Sequence, residues 1–153
     1  YEQISELFME TAENEKEHAK RFFKFLEGGM VEITAMYPAG VIGNTLENLK
    51  AAADGEKEEH TELYPGAAET ADKEGFKEIA ACYRNIAKVE AEHEARYRKL
   101  AANIERGEVF KKSHVVRWKC RNCGYVHEGA EAPEKCPACI HPKAFFEIKE
   151  SNY

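Results

Sequence analysis

The stretch ENEKEHAKRF at residues 13–22 decides the reading, because Glu15 and His18 interrupt an apolar helical stripe without leaving its phase. Positions three apart on a helix share a face, so a carboxylate and an imidazole at that spacing can aim at one point. The same Glu-x-x-His pattern returns in VEAEHEARY at 89–97, where Glu90 and His93 each lie 75 residues after their counterparts. Two such helices facing one another would build a two-metal carboxylate site inside a bundle.

The flanking residues support this. Ile4, Phe8, Ala12, Ala19, Phe22 and Phe25 recur at helical spacing around the first pair. Ile79, Tyr83, Ile86, Ala87, Tyr97 and Leu100 do the same around the second. A third segment carries Leu46, Leu49, Ala53 and Leu63, with Glu56 and Glu59 at the inward positions. Four glutamates thereby point toward a core, where an unpartnered carboxylate is costly. No inward Lys or Arg stands at matching positions, so a bound cation is the partner this pattern calls for. The plainer reading places these glutamates on solvated helix surfaces. It leaves unexplained why acidic and imidazole groups keep the apolar phase on three segments.

The 153 residues suffice for one ordinary core and a small appendage. A net charge of −6 argues against a nucleic-acid partner. No apolar run reaches the length of a membrane span and no signal peptide opens the chain, so a cytosolic, reducing home is expected. Cys120, Cys123, Cys136 and Cys139 form two C-x-x-C pairs, which in that setting favour metal over disulfides. Cys82, alone in a helix, reads as a small buried apolar residue.

Along the chain, residues 1 to about 26 read as an amphipathic helix stopped by Gly28 and Gly29. MVEITAMYPAGVIG at 30–43 is an apolar crossover too broken for a long helix. A second helix runs from Asn44, a good N-cap, to about Lys73, weakened or bent by Gly55 and Pro65. A third runs from about Phe76 to Arg106 and ends at Gly107. The character then changes to short mixed segments, giving expected domains at 1–112 and 113–153. YEQISELFMETAENEKEHAKRF and FKEIAACYRNIAKVEAEHEARY align as an internal duplication, with Arg21 matching Arg96. The second copy is preceded by a helix bearing Glu56 and Glu59. Symmetry therefore predicts another helix before the first copy, supplied by a separate segment or a partner chain.

In the C-terminal part the spacing C-x2-C-x12-C-x2-C brings four thiolates into a tetrahedron suited to zinc or a single iron. Trp118, Tyr125, Phe145 and Phe146 supply a tiny core around it. Spacing alone leaves a structural zinc and an electron-carrying iron both open. A neighbouring two-metal carboxylate site favours iron.

ENEKEH, GEKEEHTELYP, VEAEHEARY, CRNCGYVHEG and CPACIHPKAFFE, in this order, closely resemble the rubrerythrin family, and the resemblance covers essentially the whole chain. It implies an all-α, ferritin-like four-helix bundle, with three of its long helices in this chain, around a non-haem di-iron centre. A small C-terminal rubredoxin-like Fe(Cys)4 domain would follow. The implied activity is a cytoplasmic peroxidase that reduces hydrogen peroxide to water in oxidative-stress protection. Its di-iron centre would be re-reduced through Fe(Cys)4 from a donor such as a rubredoxin or an NAD(P)H-dependent reductase. On the matching positions, Glu15 and Glu90 would be di-iron ligands able to bridge, and Glu56 and His93 would serve one iron. Glu59 and His18 would serve the other iron, exchanging places as its oxidation state changes. Tyr64 would hydrogen-bond near the centre, and Cys120, Cys123, Cys136 and Cys139 would hold the lone iron.

Two departures stand out. The family's first helix supplies one more glutamate ligand that this sequence does not contain. Ile140 follows the last cysteine where simple rubredoxins have Gly, which is expected to alter the local turn. Glu90 to Ile104 spans roughly 21 Å of helix at 1.5 Å per residue. The cysteine iron is thus expected far from its own chain's di-iron site, and a head-to-tail homodimer, as in the family, would bring it near the partner's. The runner-up reading is a ferritin-like ferroxidase or iron-handling protein. A zinc-bearing interaction module on an inert bundle is the non-catalytic alternative.

Overall fold

The structure is a computed structural model describing residues 1–152. Four α-helices come first: α1 (Glu2–Phe23), α2 (Thr45–Glu58), α3 (Tyr64–Lys73) and α4 (Lys77–Glu105). A π-helical turn, Glu59–Leu63, joins α2 to α3 without a break, so these make one long helix and the chain carries three long helices in all. Strands β1 (Lys111–Cys120), β2 (Val126–Glu131) and β3 (Phe146–Ile148) follow. The chain divides into two compact units, Glu13–Ala101 and Tyr1–Ala12 together with the chain from Ala102 onward.

In the first unit, Asn44 caps α2 as its sequence suggests. Its side chain accepts from the Glu47 amide at 3.0 Å, and Glu47 accepts from the Asn44 amide at 2.8 Å, so two orphan donors are satisfied reciprocally. Gly55 does not interrupt α2. The irregularity falls at 59–63, just ahead of Pro65. Proline has no N–H, and its ring crowds the carbonyl four residues back, here that of Thr61. The wide turn, in which the Tyr64 amide reaches back five residues to the Glu59 carbonyl, makes room for it.

The wide turn adds a residue and shifts the helical phase. Leu63, predicted inward from the Leu49–Ala53 stripe, is 53% exposed, while Tyr64 turns into the unit. There Tyr64 meets Phe22 and Tyr83 at ring-centroid distances of 6.0 and 5.9 Å, and Phe22 and Tyr83 lie 5.0 Å apart. Ala68, Ala71 and Ala80 are buried alongside, with Ile79 and Tyr83 against them. The α1 stripe is narrower than its sequence suggests. Ile4 and Thr11 are buried, but Ala12 and Ala19 are exposed, because α1 presents only part of its predicted apolar sector to its neighbours. Arg21 pairs across helices with Glu78 at 2.8 Å and lies over the Phe25 ring. Residues 30–43 carry no regular structure.

In the second unit, β1 sits between β2 and β3, antiparallel to both. Trp118, Ala132 and Phe146 form the core with Cys120 and Cys136, and the Trp118 indole donates to the Gly129 carbonyl at 3.0 Å. Glu147, nearly buried, is held by Lys119 at 2.7 Å and by Arg121. With β2 and β3 short, a metal held by the four cysteines would staple a unit of this size.

Candidate metal centres

Glu15, Glu56, Glu90 and His93 converge from α1, α2 and α4, their ligand atoms all within 4.8 Å of one another. The α4 spacing places Glu90 and His93 on one face, with His93 Nδ1 3.0 Å from Glu90. The same nitrogen lies 3.3 Å from Glu56 and 3.4 Å from Glu15. His18 joins from α1, its Nδ1 3.1 Å from Glu15 and 3.0 Å from Glu90. The tandem Glu-x-x-His pairs thus meet, as their phase required. Glu59 borders the cluster at the start of the π turn. Burial raises its carboxyl pKa, the Glu15 charge adds to this, and His18 opposes it.

The cluster's electrostatics are those of a cation site. Glu90 is 0% exposed and Glu56 8%. Burial, then the charges of Glu15 and its neighbours, pushes both carboxyls up to about 8. Arg96, on α4, opposes the shift at Glu56, so one basic residue of the duplication does act on the cluster from the helix edge. The Tyr64 phenol weakly opposes the shift at Glu90, at a geometry short of a formed hydrogen bond. Burial, and then the neighbouring carboxylates, raise the pKa of Tyr64, so it remains a neutral donor. Glu15 Oε1, Glu56 Oε2 and both oxygens of Glu90 are buried without a hydrogen bond. Buried polar atoms are satisfied almost everywhere in proteins. Carboxylate oxygens left open toward one point, with two imidazole nitrogens among them, fit hard divalent cations.

In the other unit, Cys120 Sγ lies 3.7 Å from Cys139 Sγ, and Cys123 Sγ 3.6 Å from Cys136 Sγ. A tetrahedron with metal–sulfur bonds near 2.3 Å has edges of roughly 3.8 Å, whereas a disulfide needs about 2.05 Å. All four sulfurs lie within 4.8 Å of one another. The two knuckles match: Gly124 donates to the Cys120 carbonyl and Ile140 to the Cys136 carbonyl, each at 2.8 Å. Ile140 thus keeps the turn hydrogen bond its sequence put in question. It does so at φ +63°, a left-handed conformation costly for a β-branched residue. The His141 amide holds the Cys139 thiol down at about 6.

Cys82, predicted buried, is half-buried and lines an open cavity of about 460 Å³ with His18, Ile86 and Val89. Asn14, which sequence reasoning passed over, places its Oδ1 3.2 Å from His93 Nε2. Its position beside Glu15 is the one hint the sequence offered.

These sites and this fold define a metalloprotein class: a ferritin-like helical unit with a carboxylate–histidine cluster suited to a di-iron centre, followed by a rubredoxin-like four-cysteine domain. A family model described as rubrerythrin matches residues 1–101, and one for the rubrerythrin rubredoxin-like domain matches 118–147. The chain belongs to the rubrerythrin family. It is 65% identical over 153 residues to a rubrerythrin of Porphyromonas gingivalis, covering 100% of this chain and 76% of that protein. It is 59% identical over 157 residues to a rubrerythrin of Clostridium perfringens, covering 100% and 80%. A solved structure of mixed-valence nigerythrin aligns with a TM-score of 0.57 at 29% identity, covering 97% of this chain and 71% of that one. Among the described residues no helix is long and apolar enough to cross a membrane.

Proposed function

We propose that this protein is a non-haem iron peroxidase that reduces hydrogen peroxide to water in oxidative-stress protection, with the four-cysteine site as its electron relay. The observation that carries this reading is the cluster of buried carboxylate oxygens without hydrogen bonds, aimed at one point beside two imidazoles. When bound there, two ferrous ions supply the two electrons that, with two protons, convert hydrogen peroxide to two waters.

Glu15 and Glu90, each close to both histidines, would be the ligands shared between two metal ions. Glu56 and His93 would serve one metal ion, His18 and Glu59 the other. Tyr64, neutral and beside Glu90, is a hydroxyl donor available to that carboxylate. Cys120, Cys123, Cys136 and Cys139 would hold a lone iron, which would supply one-electron chemistry for re-reduction of the centre. The domains are divided at 112/113, and the working unit is a cytoplasmic head-to-tail homodimer fed by a rubredoxin or an NAD(P)H-dependent reductase.

Mixing anaerobically reduced, iron-loaded full-length protein with hydrogen peroxide tests this. We expect rapid loss of about one peroxide per di-iron centre, followed by oxidation of the four-cysteine iron. Rapid reaction with dioxygen, no reaction with peroxide and continued iron uptake would instead mark a ferroxidase.

A further inference from the structure

The duplication that brings two Glu-x-x-His pairs together is symmetric in its ligands but not around them. With the two copies in register, Asn14 in the first matches Val89 in the second. Each precedes its pair's glutamate. The Asn14 carboxamide oxygen lies 3.2 Å from His93 Nε2, across the interface between α1 and α4. A carboxamide oxygen only accepts, so this contact fits a His93 that carries a proton on Nε2 while Nδ1 faces Glu15, Glu56 and Glu90. The equivalent place near His18 holds Val89, which offers no acceptor. His18 and Val89 both line the open cavity of about 460 Å³, and no hydrogen bond to His18 Nε2 forms among the described residues.

We infer that Asn14 is a positioning residue that makes His93 the fixed imidazole of the centre, and that the divergence to Val89 in the second copy leaves His18 Nε2 without the matching acceptor. An outer carboxamide or carboxylate fixes both the tautomer and the ring plane of a ligating histidine, and its loss costs on the order of 10- to 100-fold in metal affinity. Asn14 is half-buried at the helix edge, so replacing it removes the acceptor without opening the core. The inference rests on reading the cluster as a two-metal centre.

The test uses full-length protein, stripped of metal and titrated with Co(II), together with the nitrogen chemical shifts of the two histidine rings in the metal-free form. In wild type we expect two Co(II) bound at the cluster and the Nε2–H tautomer dominant at His93. Asn14→Leu should weaken one of the two Co(II) ions by about 10- to 100-fold and mix the His93 tautomers, leaving the unfolding midpoint nearly unchanged. Asn14→Asp, which keeps the acceptor, should restore both. Val89→Asn should drive His18 toward a single tautomer, as Asn14 does for His93. Wild-type binding of two Co(II) with unchanged affinity and tautomer in Asn14→Leu would overturn this inference alone. Failure of wild type to bind Co(II) at the cluster would overturn the metal-centre reading beneath it.

Discussion

Single side chains carry contrasting burdens in the two sites. In the carboxylate cluster the strain is electrostatic, since Glu90 is wholly buried among other acids. In the cysteine domain it is conformational and falls on Ile140, an isoleucine at φ +63° with its side chain 66% exposed. A left-handed residue with a Cβ costs roughly 1–2 kcal/mol, against about 0.5–1 kcal/mol for the extra freedom glycine loses on folding. We therefore expect Ile140→Gly to stabilise the zinc-loaded protein by up to about 1 kcal/mol, read as a higher denaturation midpoint. A lower midpoint would mean the isoleucine makes a contact that outweighs its backbone strain.

Among the helices, the π turn at 59–63 has the largest consequence. An uninterrupted helix would bring Leu63 and Tyr64 to the two edges of the Leu49–Ala53 face, and the wide turn moves Leu63 out and keeps Tyr64 in. An inward and an outward Leu63 predict different mutational costs. Leu63→Ser should change stability by no more than about 0.5 kcal/mol, the usual range for exposed positions. Tyr64→Ala should cost about 2 kcal/mol or more by removing a ring packed on Phe22 and Tyr83. Equilibrium unfolding of both variants decides the matter, and the reverse ranking would refute the phase shift. The sequence announced this irregularity only through Pro65. It showed that the helix must accommodate a proline, but not on which side, because that depends on how the flanking turns pack.

For the protein as a unit, pH and metal are linked through Glu56 and Glu90. Both carboxyls sit near 8 in the metal-free fold and at about 4.5 when unfolded. Between those values the folded state holds more protons than the unfolded one, so stability must fall as pH rises. We expect the unfolding midpoint of metal-free protein to decline from about pH 5 to about pH 8, and Glu90→Gln to flatten part of that slope. Bound divalent metal displaces those protons and should abolish the decline. A metal-free midpoint that climbs over this window would contradict the buried-acid picture. The proposed head-to-tail dimer has its own test, in which Cys123→Ser is mixed with Glu90→Gln. Donor-driven peroxide turnover should return in the mixture, because one subunit's intact cysteine iron then faces the other's intact cluster. A mixture as inactive as its components would rule out transfer between chains.

Most of the site could be read directly from the residues. Helical spacing fixes Glu15 with His18 and Glu90 with His93 on common faces, and two C-x-x-C knuckles fix four sulfurs, because each depends on neighbours within a few positions. Other features arise between segments far apart in the chain: the exposure of Leu63 and Ala12, the influence of Arg96 on Glu56, and Asn14 reaching His93 across 79 positions. Desolvation and hydrogen-bond direction are properties of the packed surroundings. No local pattern encodes which carboxylate loses its water or which imidazole nitrogen turns inward.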